Sequence, residues 1–146
     1  MGLFDKLSGR GDDGALTKQE GFAGIMLAVV AADGHVSDEE SDDFIARANR
    51  MKLLASQSAA EFKQMIDKLF RILNSKGSSD LIARSAQALT PELRETAFAV
   101  SMDMIFADGS VADAEKAMIE KLQRELEITD DLAGKILDVM LVKHRG

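Results

Sequence analysis

The stretch Ala32-Asp33-Gly34-His35-Val36-Ser37-Asp38-Glu39-Glu40 recurs with changes as Ala107-Asp108-Gly109-Ser110-Val111-Ala112-Asp113-Ala114-Glu115. Asp33 and Asp108, Val36 and Val111, Asp38 and Asp113, and Glu40 and Glu115 all stand 75 residues apart. Each copy closes an apolar run (Ile25 to Val30, Val100 to Phe106) and opens a segment of helical periodicity. The chain therefore uses one unit twice: helix, acidic glycine turn, helix. Any fold has to accommodate both copies.

The remaining segments carry helix signals as well. Thr17-Lys18-Gln19-Glu20 and Ser58-Ala59-Ala60-Glu61 have the spacing of capping boxes, and Thr90-Pro91 pairs an N-cap with proline at the first helical position. Behind the first cap, Phe22, Ile25, Met26, Val29 and Val30 mark one helical face. Phe44, Ile45, Ala48 and Met51 mark the next, on a helix from about Asp38 to Lys52. Phe62, Met65, Ile66, Leu69, Phe70 and Leu73 give the cleanest stripe. Asn74 to Ser79 reads as a loop before a short helix over Asp80 to Leu89. The helix from Thr90 is expected to end at Gly109. Met118, Ile119, Leu122 and Leu126 then define a sixth helix, and Leu132, Ile136, Leu137, Met140 and Leu141 a seventh.

No segment alternates with period two. The fold class is thus all-α, an internally duplicated bundle of about seven helices with approximate twofold symmetry. The repeat units cover about 17–54 and 91–129. Residues 1–14, rich in glycine and in alternating charge, read as a flexible tail, and 15–146 as one helical domain. Leu3, Phe4 and Leu7 form one amphipathic turn in that tail, suited to a docked terminus or to a weak membrane or partner contact.

Composition narrows the function classes. A net charge of −7 with no basic patch argues against a nucleic-acid partner. The chain has no cysteine, which removes thiolate and disulfide chemistry and accords with a reducing cytoplasm. No apolar run reaches the ~18–20 residues needed to span a bilayer. The N-terminus lacks a signal-peptide core and the Ser or Thr of a myristoylation signal. The methionines fall on apolar helical stripes, where they fill core rather than bind soft metals.

Two readings of the acidic turns stand. Asp-Gly-x-Val-x-x-x-Glu matches the second half of a calcium-binding EF-hand loop. Val29 and Ala31, or Met104 and Phe106, would hold the first two ligand positions and cannot bind calcium, so a true EF-hand is excluded. Two half-sets could still pair into one site for a hard divalent cation. In the other reading, the turns are helix punctuation. Gly34 and Gly109 then supply a positive φ, and Ser37 with Glu40 makes a capping box. Against this, Ala112 has no capping hydroxyl although Glu115 is present. Asp33 and Asp108 also sit at helix C-termini, where a negative charge opposes the dipole.

A helical run, then (A/S)-D-G-x-(V/I)-x-x-x-E, then an amphipathic helix, duplicated within one chain, resembles the TerB family of tellurite-resistance proteins. It is also similar to the N-terminal domain of the DjlA co-chaperones. The resemblance covers about Thr17 to Val142, and Leu3-Phe4-Asp5-Lys6 is similar to the opening of TerB proteins. It implies a seven-helix duplicated fold and a bacterial, cytoplasmic setting tied to stress response. It also implies a membrane-associated protein partner, which would place the chain at the periphery of the inner membrane. Divalent metal, Ca2+ or Mg2+, is implied at the acidic turns. By match to the motif, Asp33, Glu40, Asp108 and Glu115 are the candidate ligands. The chain carries no J-domain, so co-chaperone activity does not transfer.

The expected function is a noncatalytic, metal-binding interaction module. The alternative is a metal-free helical adaptor that binds a protein through the acidic face around Asp38, Glu39, Glu40, Asp42 and Asp43. A metal-dependent hydrolase is disfavoured. The two histidines, His35 and His144, are distant in sequence, and no H-x-x-E or H-D pair exists to activate water.

Overall fold

The computed structural model describes residues 14–32, 36–107, 109 and 111–145. The described residues form eight helices and no strand, so the protein is all-α. The helices are α1 (Lys18–Val30), α2 (Asp38–Asn49), α3 (Lys52–Ala55), α4 (Ala59–Lys76), α5 (Ser78–Ala88), α6 (Pro91–Phe106), α7 (Asp113–Glu125) and α8 (Asp130–Lys143). None is long and apolar enough to cross a membrane.

Capping fixes most helix starts. Thr17, Ser37 and Ser58 each accept from the backbone N–H three residues on, and Glu20, Glu40 and Glu61 each reach back to the cap amide. Thr90 Oγ1 accepts from Leu93 N–H at 3.2 Å, with Pro91 at the first helical position. Helix α2 stops at Asn49, short of the expected Lys52, and the one-turn α3, absent from the sequence reading, begins at Lys52. Its N-cap, Met51, offers no capping side chain, so no local signal announces it.

The bundle is built around α1. Phe22, Ala23, Ile25, Met26, Leu27, Ala28 and Val29 are all buried, so α1 buries its whole circumference and not the single face its periodicity indicates. A helix apolar on all sides belongs at a core centre, and α5, α6, α2 and α4 surround it. Its closest neighbour is α5. A Cβ at Gly21 would lie 2.8 Å from the Ser85 carbonyl oxygen, and one at Gly24 would collide with Ser85 Oγ. Gly21 meets Ser85 and Ala88 while Gly24 meets Leu81 and Ser85, so the two helices run antiparallel at glycine distance.

The expected loop over Asn74 to Ser79 is instead a single residue. Helix α4 continues to Lys76, and α5 starts at Ser78. Gly77, at φ 89° and ψ 167°, makes the whole turn, in a region of backbone space open essentially to glycine alone. Helix α6 ends at Phe106, short of Gly109, which has φ 84° as the sequence requires. Gly34 lies outside the described residues.

Met26, Met65, Met102 and Met118 are buried in the core, as their periodicity predicts. Phe44 on α2 meets Phe70 on α4 edge to face, with centroids 6.3 Å apart. Helices α7 and α8 pack on α6. The two halves are not identical in their packing. The inward residues of α7 are Met118 and Leu122, whereas those of α2 are Phe44 and Ala48, one position later on the 75-residue offset.

Candidate functional site

Each repeated turn joins two helices, and the four helix ends enclose one cleft of about 370 Å³. Val29, Val30 and Ala32 line it from the end of α1, and Glu40, Asp43, Phe44 and Arg47 from the start of α2. Met104, Ile105 and Ala107 come from the end of α6, with Ala112, Ala114 and Glu115 from the start of α7. Segments 75 residues apart in the chain thus share one concavity. Of the four candidate ligands, Glu40 and Glu115 line this cleft. Asp33 and Asp108 lie outside the described residues, directly after the cleft residues Ala32 and Ala107.

Both glutamates are held by backbone. Glu40 Oε1 accepts from Ser37 N–H at 3.0 Å, and Glu40 N–H donates to Ser37 Oγ at 3.1 Å. Glu115 Oε1 accepts from Ala112 N–H at 3.0 Å. The missing hydroxyl at Ala112 therefore does not release Glu115 from capping. The backbone half of the box survives alone, with Glu115 N–H donating to the Ala112 carbonyl at 3.0 Å. That removes one sequence argument against plain helix punctuation. It also fixes both carboxylates at the cleft with one oxygen of each engaged. Carboxylates at these positions are favoured by the positive helix ends behind them.

Sequence reasoning missed a cation at the same cleft. Arg47 lines it and lies 3.7 Å from Asp103 Oδ2 on α6. Asp103 Oδ1 also takes Lys143 Nζ and His144 Nε2, each at 2.7 Å, at the end of α8. The His144 ring stacks on Phe106, with centroids 6.5 Å apart. Partial burial, the largest single influence, pushes the Asp103 carboxyl up. The hydrogen bonds and charges of Lys143 and His144 together outweigh it and hold the pKa below the ordinary carboxylate value. Arg47, Asp103 and the adjacent Lys143 and His144 come from three segments 40 or more positions apart in the chain, and no local pattern connects them.

Among the described residues no three His, Cys, Asp or Glu side chains cluster closely enough to hold a metal ion. The described part of the cleft supplies the carboxylates of Glu40, Asp43 and Glu115. These are hard oxygen donors of the kind Ca2+ and Mg2+ take, with Arg47 as a competing positive charge. A full set on the sequence pattern requires Asp33 and Asp108.

A model of the family described as tellurite resistance protein TerB matches residues 19–136. The chain belongs to the TerB family. The match runs from the first turn of α1 into α8, so both acidic turns and the cleft between them lie inside the TerB region. Comparison with curated proteins gave no match, and comparison with solved structures gave none.

Proposed function

We propose that this TerB-family protein is a noncatalytic module that binds a divalent cation, Ca2+ or Mg2+, between its two acidic turns. One observation carries the reading: Glu40 and Glu115, a whole repeat apart, line the same cleft. Asp33, Glu40, Asp108 and Glu115 are the residues that would hold the ion. Bound there, it would neutralise carboxylates from both halves of the chain and so tie the halves together. The capping amides fix Glu40 and Glu115 in rotamer, so little side-chain entropy would be lost on binding. The ion-bound domain then serves as an interaction element of tellurite-resistance-type stress response, presented in the cytoplasm to a membrane-associated protein partner.

Titration calorimetry with Ca2+ and with Mg2+ tests this. A saturable signal at one ion per chain is the expected result. Two independent ions per chain, or no heat from either cation, would contradict a shared site.

The second reading keeps the partner and drops the metal. Asp38, Glu39, Asp42 and Asp43 are exposed on α2, with Asp43 and Glu40 at the cleft itself, and a basic partner surface would complement them. Partner binding would then be insensitive to chelator and weakened by salt.

A further inference from the structure

Helix α8 is poorly covered. It alone among the described helices has no buried residue, and it exposes Leu137 (38%) and Leu141 (49%). The residues 75 positions earlier, Phe62 (9%) and Ile66 (7%), are buried on α4. There α5 packs against both α4 and α1 and closes that half of the bundle. In the second half, α7 and α8 rest on α6 with an open groove of about 520 Å³ between them. Its lining includes Phe98, Met102 and Phe106 from α6, Ile119 from α7, and Gly134 and Leu137 from α8. A Cβ at Gly134 would meet nothing within 4 Å.

We propose that the chain's own N-terminal segment, Leu3 to Leu7, occupies this groove and covers α8 as α5 covers α4. The position of the chain's first described residues supports that occupant. Gly14, Ala15 and Leu16 lie with Arg84, Gln87 and Ala88 at the end of α5. From the adjoining Ala86 carbonyl, a hydrogen bond leads to Arg94 in the first turns of α6, and an ion pair leads from Arg94 to Glu127 just past α7. Asp130, which opens α8, lines the groove and bonds to Gln123 of α7. These contacts link the chain's entry at Gly14, by way of the first turns of α6, to the segment from Glu127 to Asp130 that opens α8 beside the groove.

The seven steps from Leu7 to Gly14 reach about 23 Å when extended. The groove floor, one 16-residue helix, is about 24 Å long. The connecting stretch contains Gly9, Gly11 and Gly14 and so imposes little stiffness. Leu3, Phe4 and Leu7 fall on one face of a helical turn, the spacing by which an amphipathic helix enters an apolar groove.

The protein has no tryptophan and no tyrosine, so Phe4→Trp in the full chain gives a single fluorescent reporter. Its emission is expected at shorter wavelength than in denaturant and unchanged on dilution. Adding Leu137→Glu, at an already exposed position, should return it to the solvent value with the helical circular dichroism intact. Emission at the solvent value in Phe4→Trp alone would overturn the proposal, as would a blue shift that survives Leu137→Glu. A shift that vanishes on dilution would assign the groove to a second copy instead. Cross-linking gives an independent arm, because the chain is free of cysteine. Leu7→Cys with Gly134→Cys should form a disulfide within the monomer, and its absence under oxidation would also overturn the proposal.

Discussion

Ala112 stands where Ser37 stands in the first half, with nearly the same N-cap backbone (φ −69°, ψ 161° against φ −75°, ψ 164°). A serine there would find the first turn of α7 already arranged to donate to it. Ala112→Ser is therefore expected to stabilise the domain by about 0.5–2 kcal/mol, the usual range for an N-cap hydroxyl. That corresponds to a rise in melting temperature of roughly 2–6 °C at this chain length. An unchanged or lower melting temperature would mean the second turn is not the structural counterpart of the first. Asp103 supports a second prediction. Its pKa is lower in the folded protein than in the unfolded chain. Its contribution is thus fully present above the unfolded value of about 3.9 and disappears as pH falls through the lower folded value. Asp103→Asn should flatten the acid limb of stability against pH in that window. Acid denaturation with the same slope in both proteins would show that the carboxylate's contacts with Lys143 and His144 are not formed in solution.

Among the elements, the starts of helices were more legible in sequence than the joins between them. Thr17, Ser37, Ser58 and Thr90 announce their helices through side chains that act within one turn, and every one caps as read. The Asn74 to Ser79 segment misleads because Asn, Ser and Gly favour turns. Ser75 instead turns its hydroxyl to the Arg71 carbonyl at 2.7 Å, and the helix continues past it. Gly77 then does alone what a loop was expected to do. Gly77→Ala should destabilise by about 1–3 kcal/mol through backbone strain, since an added Cβ would touch nothing within 4 Å. A silent substitution, read by denaturant unfolding, would place the α4 to α5 join elsewhere.

The Gly21 and Gly24 pair was a usable signal for close helix packing, but its partner α5 could not be read from spacing. Gly24→Ala should lower stability despite alanine's better helix propensity, because the new methyl collides with Ser85 Oγ. Gly24→Ala with Ser85→Ala should recover part of the loss. Strictly additive effects of the two substitutions would show that they do not meet.

For the whole molecule, the duplicated turn gave the helical class and the two glutamates that share the cleft, because both follow from local pattern and a fixed offset. The thin cover on α8 and the Arg47 to Asp103 contact were not legible. Each depends on which helix lies against which, and periodicity carries no such information. The central claim is that the two acidic turns form one cation site, and it reaches a direct test in Asp33→Asn with Asp108→Asn. Two charges leave while the side chains keep their shape; if Asp33 and Asp108 share the cleft with Glu40 and Glu115, repulsion without metal falls and the variant should melt no lower than wild type. On this account, Ca2+ or Mg2+ at about 100 times its dissociation constant should stabilise wild type by ~2.7 kcal/mol, roughly a 5–10 °C rise in melting temperature. The double variant should lose most of that rise. Equal metal-induced shifts in the two proteins, measured side by side by thermal melting, would contradict the shared site and leave the acidic turns as helix caps.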